Sequence, residues 1–95
     1  MGFLDRFRKK AEADPSQRRK DLLSHGRITE GVILDHITAP DGGEIAYYLY
    51  SLNGVDFESS ELLTPEQLRN PMKYAPGAKV GIRYDPRNQG NSTLE

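Results

Sequence analysis

Ninety-five residues suffice for one domain and are too few for two. A domain as small as the part from Arg27 to the end hides only about 60 % of its unfolded surface, which argues against a deep ligand cavity. Cysteine is absent, so disulfides, thiolate catalysis and cysteine metal sites are excluded. The net charge of −1 joins two unlike parts: residues 1–27 hold eight Lys or Arg against four acids, a balance of +4, and the remainder holds five against ten, a balance of −5. Parts of opposite sign attract one another within one molecule. The expected division is a basic helical arm over residues 1–26 and a small β domain over residues 27–95.

At the start of the chain, Phe3, Leu4, Phe7 and Ala11 recur at helical spacing and form a narrow apolar stripe flanked by Arg6, Arg8, Lys9 and Lys10. The pattern predicts a short amphipathic helix over residues 2–13. Its apolar segment is too short for a secretory signal, and no run in the chain approaches the roughly 20 apolar residues needed to cross a bilayer. Arg6 stands where a myristoylation motif requires Ser or Thr. Asp14-Pro15-Ser16-Gln17 then reads as a second helix start, with the helix ending near Ser24 before Gly26. Leu22 and Leu23 are its large apolar residues and offer one small contact to the body.

From Arg27 the period changes to two. Ile28, Val32 and Leu34 are expected on one side of a strand and Thr29, Ile33 and Ile37 on the other, with Gly31 marking a bulge or a sharp coil by which the sheet curls. Ala39-Pro-Asp-Gly-Gly43 is a loop by composition. Two strands then flank Asn53-Gly54, the pair that best tolerates the positive φ values of a two-residue type I′ turn. This sets the register: Leu52 faces Val55, Tyr50 faces Phe57 and Tyr48 faces Ser59 on a core surface, while Ile45, Tyr47 and Leu49 share the opposite surface with Leu62, Ser60 and Glu58. Thr64-Pro65-Glu66-Gln67 repeats the capping pattern and predicts a helical turn over residues 65–70, ended by Pro71. Pro76-Gly77 suits a type II turn. A strand over residues 79–85 follows with Val80, Ile82 and Tyr84 inward, then a turn at Asp85-Pro86-Arg87-Asn88 and a short last strand at Ser92-Thr93-Leu94. The fold class is therefore α+β, mainly β: a small, bent antiparallel sheet or barrel of about five strands, preceded by one or two short helices.

Gly31-Val32, Tyr47-Tyr48-Leu49-Tyr50, Asn53-Gly54, Tyr74, Gly77 and the run Val80-Gly-Ile-Arg-Tyr84-Asp85-Pro86-Arg87-Asn88, with Ser92 and Leu94 beyond, resemble in order and spacing the bacterial family catalogued as domain of unknown function 3592. The resemblance covers about Arg27 to Leu94. It implies a small β domain, often tethered to transmembrane helices, and no established activity. This chain differs in having Gln89 where the family pattern usually has a second proline, and a polar helical arm in place of hydrophobic anchors.

No motif names a reaction. His25 and His36 stand eleven positions apart without metal-ligand spacing, and Asp35, His36, Asp41 and Glu44 lack the alternating oxygen ligands of a calcium loop. Ser59 and Ser60 lack a nucleophile elbow. Asp56, Glu58 and Glu61 read as surface charge, and Asp41-Gly-Gly precedes a strand, whereas phosphate cradles precede helices. Neither an enzyme nor a cofactor is expected, and no small-molecule ligand.

The outer surface of the hairpin is the informative oddity: Ile45, Tyr47, Leu49 and Leu62 lie among Asp56, Glu58 and Ser60, an apolar strip with an acidic rim that something should cover. Phe3, Leu4 and Phe7, with Arg6, Arg8, Lys9 and Lys10 around them, are a complementary patch. Three arrangements follow: the arm docks on its own sheet, lies on an anionic membrane, or leaves the strip to a protein partner or a second copy. The function expected is that of a non-catalytic protein-interaction or regulatory accessory module. The alternatives are a peripheral membrane protein using the basic helix and a small barrel binding single-stranded nucleic acid. The net negative sheet opposes the last, so no nucleic-acid partner is expected. A cytoplasmic location is expected, with at most peripheral contact to the inner face of the membrane.

Overall fold

The architecture, a computed structural model, is described over residues 15–95. The expected helix at 2–13 and the Asp14 cap lie outside the described residues. Helix α1 (Pro15–His25) leads into β1 (Arg27–Thr38), and the hairpin β2 (Glu44–Leu52) and β3 (Val55–Leu62) follows. Two 3-10 turns at Gln67–Arg69 and Pro71–Tyr74 precede β4 (Lys79–Asp85) and β5 (Asn88–Leu94). The strands form one antiparallel sheet in the order β3-β2-β1-β4-β5, bent until it is nearly a closed barrel.

Asn53 and Gly54 have φ of +52° and +82°, the backbone of a type I′ turn, and the hairpin pairs Leu52 with Val55, Tyr50 with Phe57 and Tyr48 with Ser59 as local turn chemistry requires. Val55, expected on the core surface, sits at the hairpin tip opposite Leu52 and is 54 % exposed. Thr64 and Gln67 close a reciprocal capping pair: the Thr64 N–H donates to Gln67 Oε1 at 2.9 Å and the Gln67 N–H donates to Thr64 Oγ1 at 3.1 Å. The first turn ends at Arg69, before Pro71, as the sequence predicts. Pro71 then opens a second 3-10 turn, not expected from the sequence, in which Tyr74 is buried in the core.

β1 departs from strict alternation. Its bulge is at Leu34, between Ile33 and Asp35, and Gly31 is regularly paired between Tyr50 and Val80. The extra residue reverses the faces beyond it. Ile33 stays in the core opposite Tyr48, while Ile37, expected on the same side, lies opposite Ile45 on the outer surface and His36 turns inward opposite Ala46. Gly31 serves close packing: a Cβ there would lie 2.5 Å from the Leu49 carbonyl oxygen.

Ile33, Ala46, Tyr48, Tyr50, Leu63, Tyr74, Val80, Ile82 and Leu94 form the core, with Leu52, Phe57, Ala78 and Tyr84 against it. Tyr50 is central, its ring centroid 6.1 Å from Tyr48, 5.4 Å from Phe57 and 6.5 Å from Tyr84. Each buried tyrosine also carries a hydroxyl that needs a partner. All three reach β5 or the residue after it: Tyr48 to Ser92 Oγ at 2.8 Å, Tyr50 to the Gln89 carbonyl at 2.5 Å and Tyr74 to the Glu95 carbonyl at 2.6 Å. Because successive neighbours are antiparallel, β3 and β5 run in the same direction at the seam, where no backbone ladder joins them among the described residues. The tyrosines hold β5 from inside the barrel instead.

Candidate functional site

The outer surface of β1, β2 and β3 brings together the strip read from the hairpin. Ile45 lies opposite Leu62, Tyr47 opposite Ser60, Leu49 opposite Glu58 and Ser51 opposite Asp56. β1 extends it, with Ile37 beside Ile45, Asp35 beside Tyr47 and Val32 beside Leu49. Leu62 is 60 % exposed; Leu34, Ile37 and Tyr47 are exposed as well, and Val32, Ile45 and Leu49 are half-buried. Sequence reasoning missed the β1 members Leu34, Asp35 and Ile37. The unbroken apolar run Val32-Ile-Leu34 gives no sign of where a bulge falls, and the bulge decides which face Ile37 takes.

The electrostatics of this region are one-sided. Residues 28–68, which include nearly all of β1, β2 and β3, contain no Lys or Arg and eight acids: Glu30, Asp35, Asp41, Glu44, Asp56, Glu58, Glu61 and Glu66. Asp35, Asp56 and Glu58 are exposed around the strip. Asp56 accepts a hydrogen bond from Ser51 across the hairpin, and Asp35 accepts from the His36 N–H at 2.8 Å. Phe3, Leu4, Phe7, Arg6, Arg8, Lys9 and Lys10 lie outside the described residues.

Glu61 is not the surface charge expected of it. Opposite Ala46 it points to the core side, and its side chain retains 9 % exposure. Burial pushes its carboxyl above the usual value, against the opposing pull of a hydrogen bond from Thr93 Oγ1, the Leu94 N–H and the nearby Arg19 and Arg18 guanidinium groups. Oε2 accepts from Thr93 Oγ1 at 2.8 Å, while Oε1 lies 3.5 Å from Arg18 Nη2 without forming a hydrogen bond. The same arginines cap the free edge of β5: Arg18 donates to Asn91 Oδ1 at 3.1 Å and the Ser92 carbonyl at 2.6 Å, and Arg19 donates to Thr93 Oγ1 and the Leu94 carbonyl. Gln67 adds a donor to the Leu94 carbonyl at 3.1 Å. An edge strand without charges of its own is thus covered by the guanidinium groups of α1. Leu22 supplies the helix's buried apolar contact.

The rings that would serve as stacking platforms for nucleic acid are enclosed: Tyr48 and Tyr50 are buried and Phe57 is half-buried. At the far end of the hairpin, His36 Nε2 lies 2.9 Å from Glu44 Oε1, and Asp41 accepts from the Gly43 N–H at 3.0 Å. Among the described residues, no group of three or more His, Asp or Glu side chains is placed to hold a metal ion, and no helix is long and apolar enough to cross a membrane.

A family model described as a domain of unknown function (DUF3592) matches residues 24–95. The chain belongs to the DUF3592 family. No curated protein and no solved structure matches it. The DUF3592 span contains all five strands, and the residues that carry the resemblance serve the barrel: Gly31 lets the strands close under Tyr50, and Tyr48, Tyr50 and Tyr74 anchor β5. Gln89 contributes its backbone carbonyl to Tyr50, a group that proline also possesses.

Proposed function

We propose that this DUF3592 domain is a non-catalytic protein-interaction module whose contact surface is the outer face of β1, β2 and β3. The observation that carries this reading is the exposed apolar strip of Ile37, Tyr47 and Leu62 inside a region with eight acids and no Lys or Arg. An apolar strip rimmed by one sign of charge selects a partner segment that is amphipathic and cationic. The same acids repel a second copy presenting this face, and also phosphate backbones and anionic lipid head groups.

The test is affinity capture from the native cell with the full chain, with Leu62→Lys and with Tyr47→Ser. Both positions are exposed, so the barrel tolerates the changes. A protein held by the original chain and lost with Leu62→Lys, in a manner weakened by salt, is the expected result. An identical set of captured proteins with all three chains would reject the face as the contact surface.

A further inference from the structure

Resting on the contact surface proposed above, we infer that residues 3–10 of the same chain occupy that surface in the isolated protein, so that a partner segment must displace them. Those residues have the chemistry the strip selects. Phe3, Leu4 and Phe7 supply apolar side chains, and Arg6, Arg8, Lys9 and Lys10 against Asp5 give a charge of +3. They face a surface whose charged groups on β2 and β3 are all acids.

The place where the described chain begins supports the same occupant. Arg18 and Arg19, in the first turns of α1, sit at Glu61 of β3, the residue next to Leu62 and Ser60 of the outer surface. Residues 11–14 bridge up to about 13 Å when extended. Three adjacent strands are about 10 Å across from first to third, and an eight-residue segment spans about 12 Å even when fully helical. A segment of that length matches the width of the strip. A second copy would bring its own acids to the same surface, which leaves the arm as the cationic occupant within the chain.

A covalently attached segment acts at millimolar effective concentration, so it competes with the same sequence supplied in trans. The probe is a synthetic peptide of residues 2–13, titrated into the full chain and into the full chain carrying Phe3→Ser, Leu4→Ser and Phe7→Ser. The dissociation constant is read by calorimetry and by amide chemical shifts. The peptide is expected to bind the triple variant about tenfold more tightly than the original chain, with shifts centred on Ile37, Tyr47 and Leu62. Leu62→Lys added to the triple variant is expected to abolish that binding. Equal affinity for both chains, binding that survives Leu62→Lys, or no binding to either chain would each overturn the inference. Vesicles of phosphatidylglycerol and phosphatidylethanolamine provide a further arm: co-sedimentation of the original chain, lost with the serine changes and unaccompanied by peptide competition, assigns residues 3–10 to a membrane and overturns it too. Failure here does not decide the face itself, which the capture experiment with Leu62→Lys tests separately.

Discussion

Replacing Gly31 by alanine places a methyl group where the two halves of the barrel meet. Its Cβ would lie 2.5 Å from the Leu49 carbonyl oxygen and closer still to Ile82 Cδ1, and 3.3 Å from Tyr50 Cβ. A relaxed carbon-to-oxygen approach is about 3.3 Å, so the backbone overlap approaches 0.8 Å by that measure. Ile82 can rotate its terminal methyl away. The Leu49 carbonyl belongs to β2 beside the β1 ladder and moves only if strands shift. Overpacking of this kind costs about 1–3 kcal/mol, and for a domain of this length each kcal/mol lowers the melting temperature by about 4–8 °C. Thermal unfolding followed by circular dichroism should therefore show Gly31→Ala melting roughly 5–20 °C below the original chain. Gly90→Ala is the control, because its nearest neighbour would be Phe57 Cδ1 at 3.9 Å, an ordinary contact. That control should be neutral or stabilising by up to about 1 kcal/mol through the unfolded chain. Adding Ile82→Val to Gly31→Ala should recover only the side-chain share of the loss. A Gly31→Ala protein that melts with the original chain would refute the claim that close strand approach requires glycine here.

Ile33→Ala should cost about 2–5 kcal/mol and Ile28→Ala under about 0.5 kcal/mol in urea titrations, since Ile33 is enclosed and Ile28 is exposed; equal losses would contradict the assigned faces of β1. Gln67→Ala removes both the Thr64 capping bond and a donor to Leu94, and should cost about 1–2 kcal/mol with the loss centred on the 3-10 turns in hydrogen exchange. Glu61 has a carboxyl raised above 4.5 by burial in the folded state. Above that raised value the folded protein carries the full cost of the ionised group, and the cost disappears as pH falls through it toward the ordinary value. The original chain should thus gain stability relative to Glu61→Gln as pH is lowered from 7 toward 4.5; a difference independent of pH would oppose this.

Reading the chain alone recovered those parts whose chemistry is local. The Asn53-Gly54 reversal demands positive φ, and a two-residue loop leaves one register, so the pairing of β2 with β3 and the shared face of Ile45, Tyr47, Leu49 and Leu62 were legible. Thr64 and Gln67 form their cap within one turn of chain for the same reason. Tertiary structure decided what depends on distant partners. The Leu34 bulge lies in the pairing of β1 with β2, just beyond the Arg27–Val32 stretch that β4 also pairs, and it carries Ile37 to the outer strip. Glu61 looks like any strand carboxylate until closure brings β5 beside β3 and α1 lays Arg18 and Arg19 across the seam. Burial of a charge is a property of everything that surrounds it, and here those surroundings come from the two ends of the described chain, far from Glu61 in sequence.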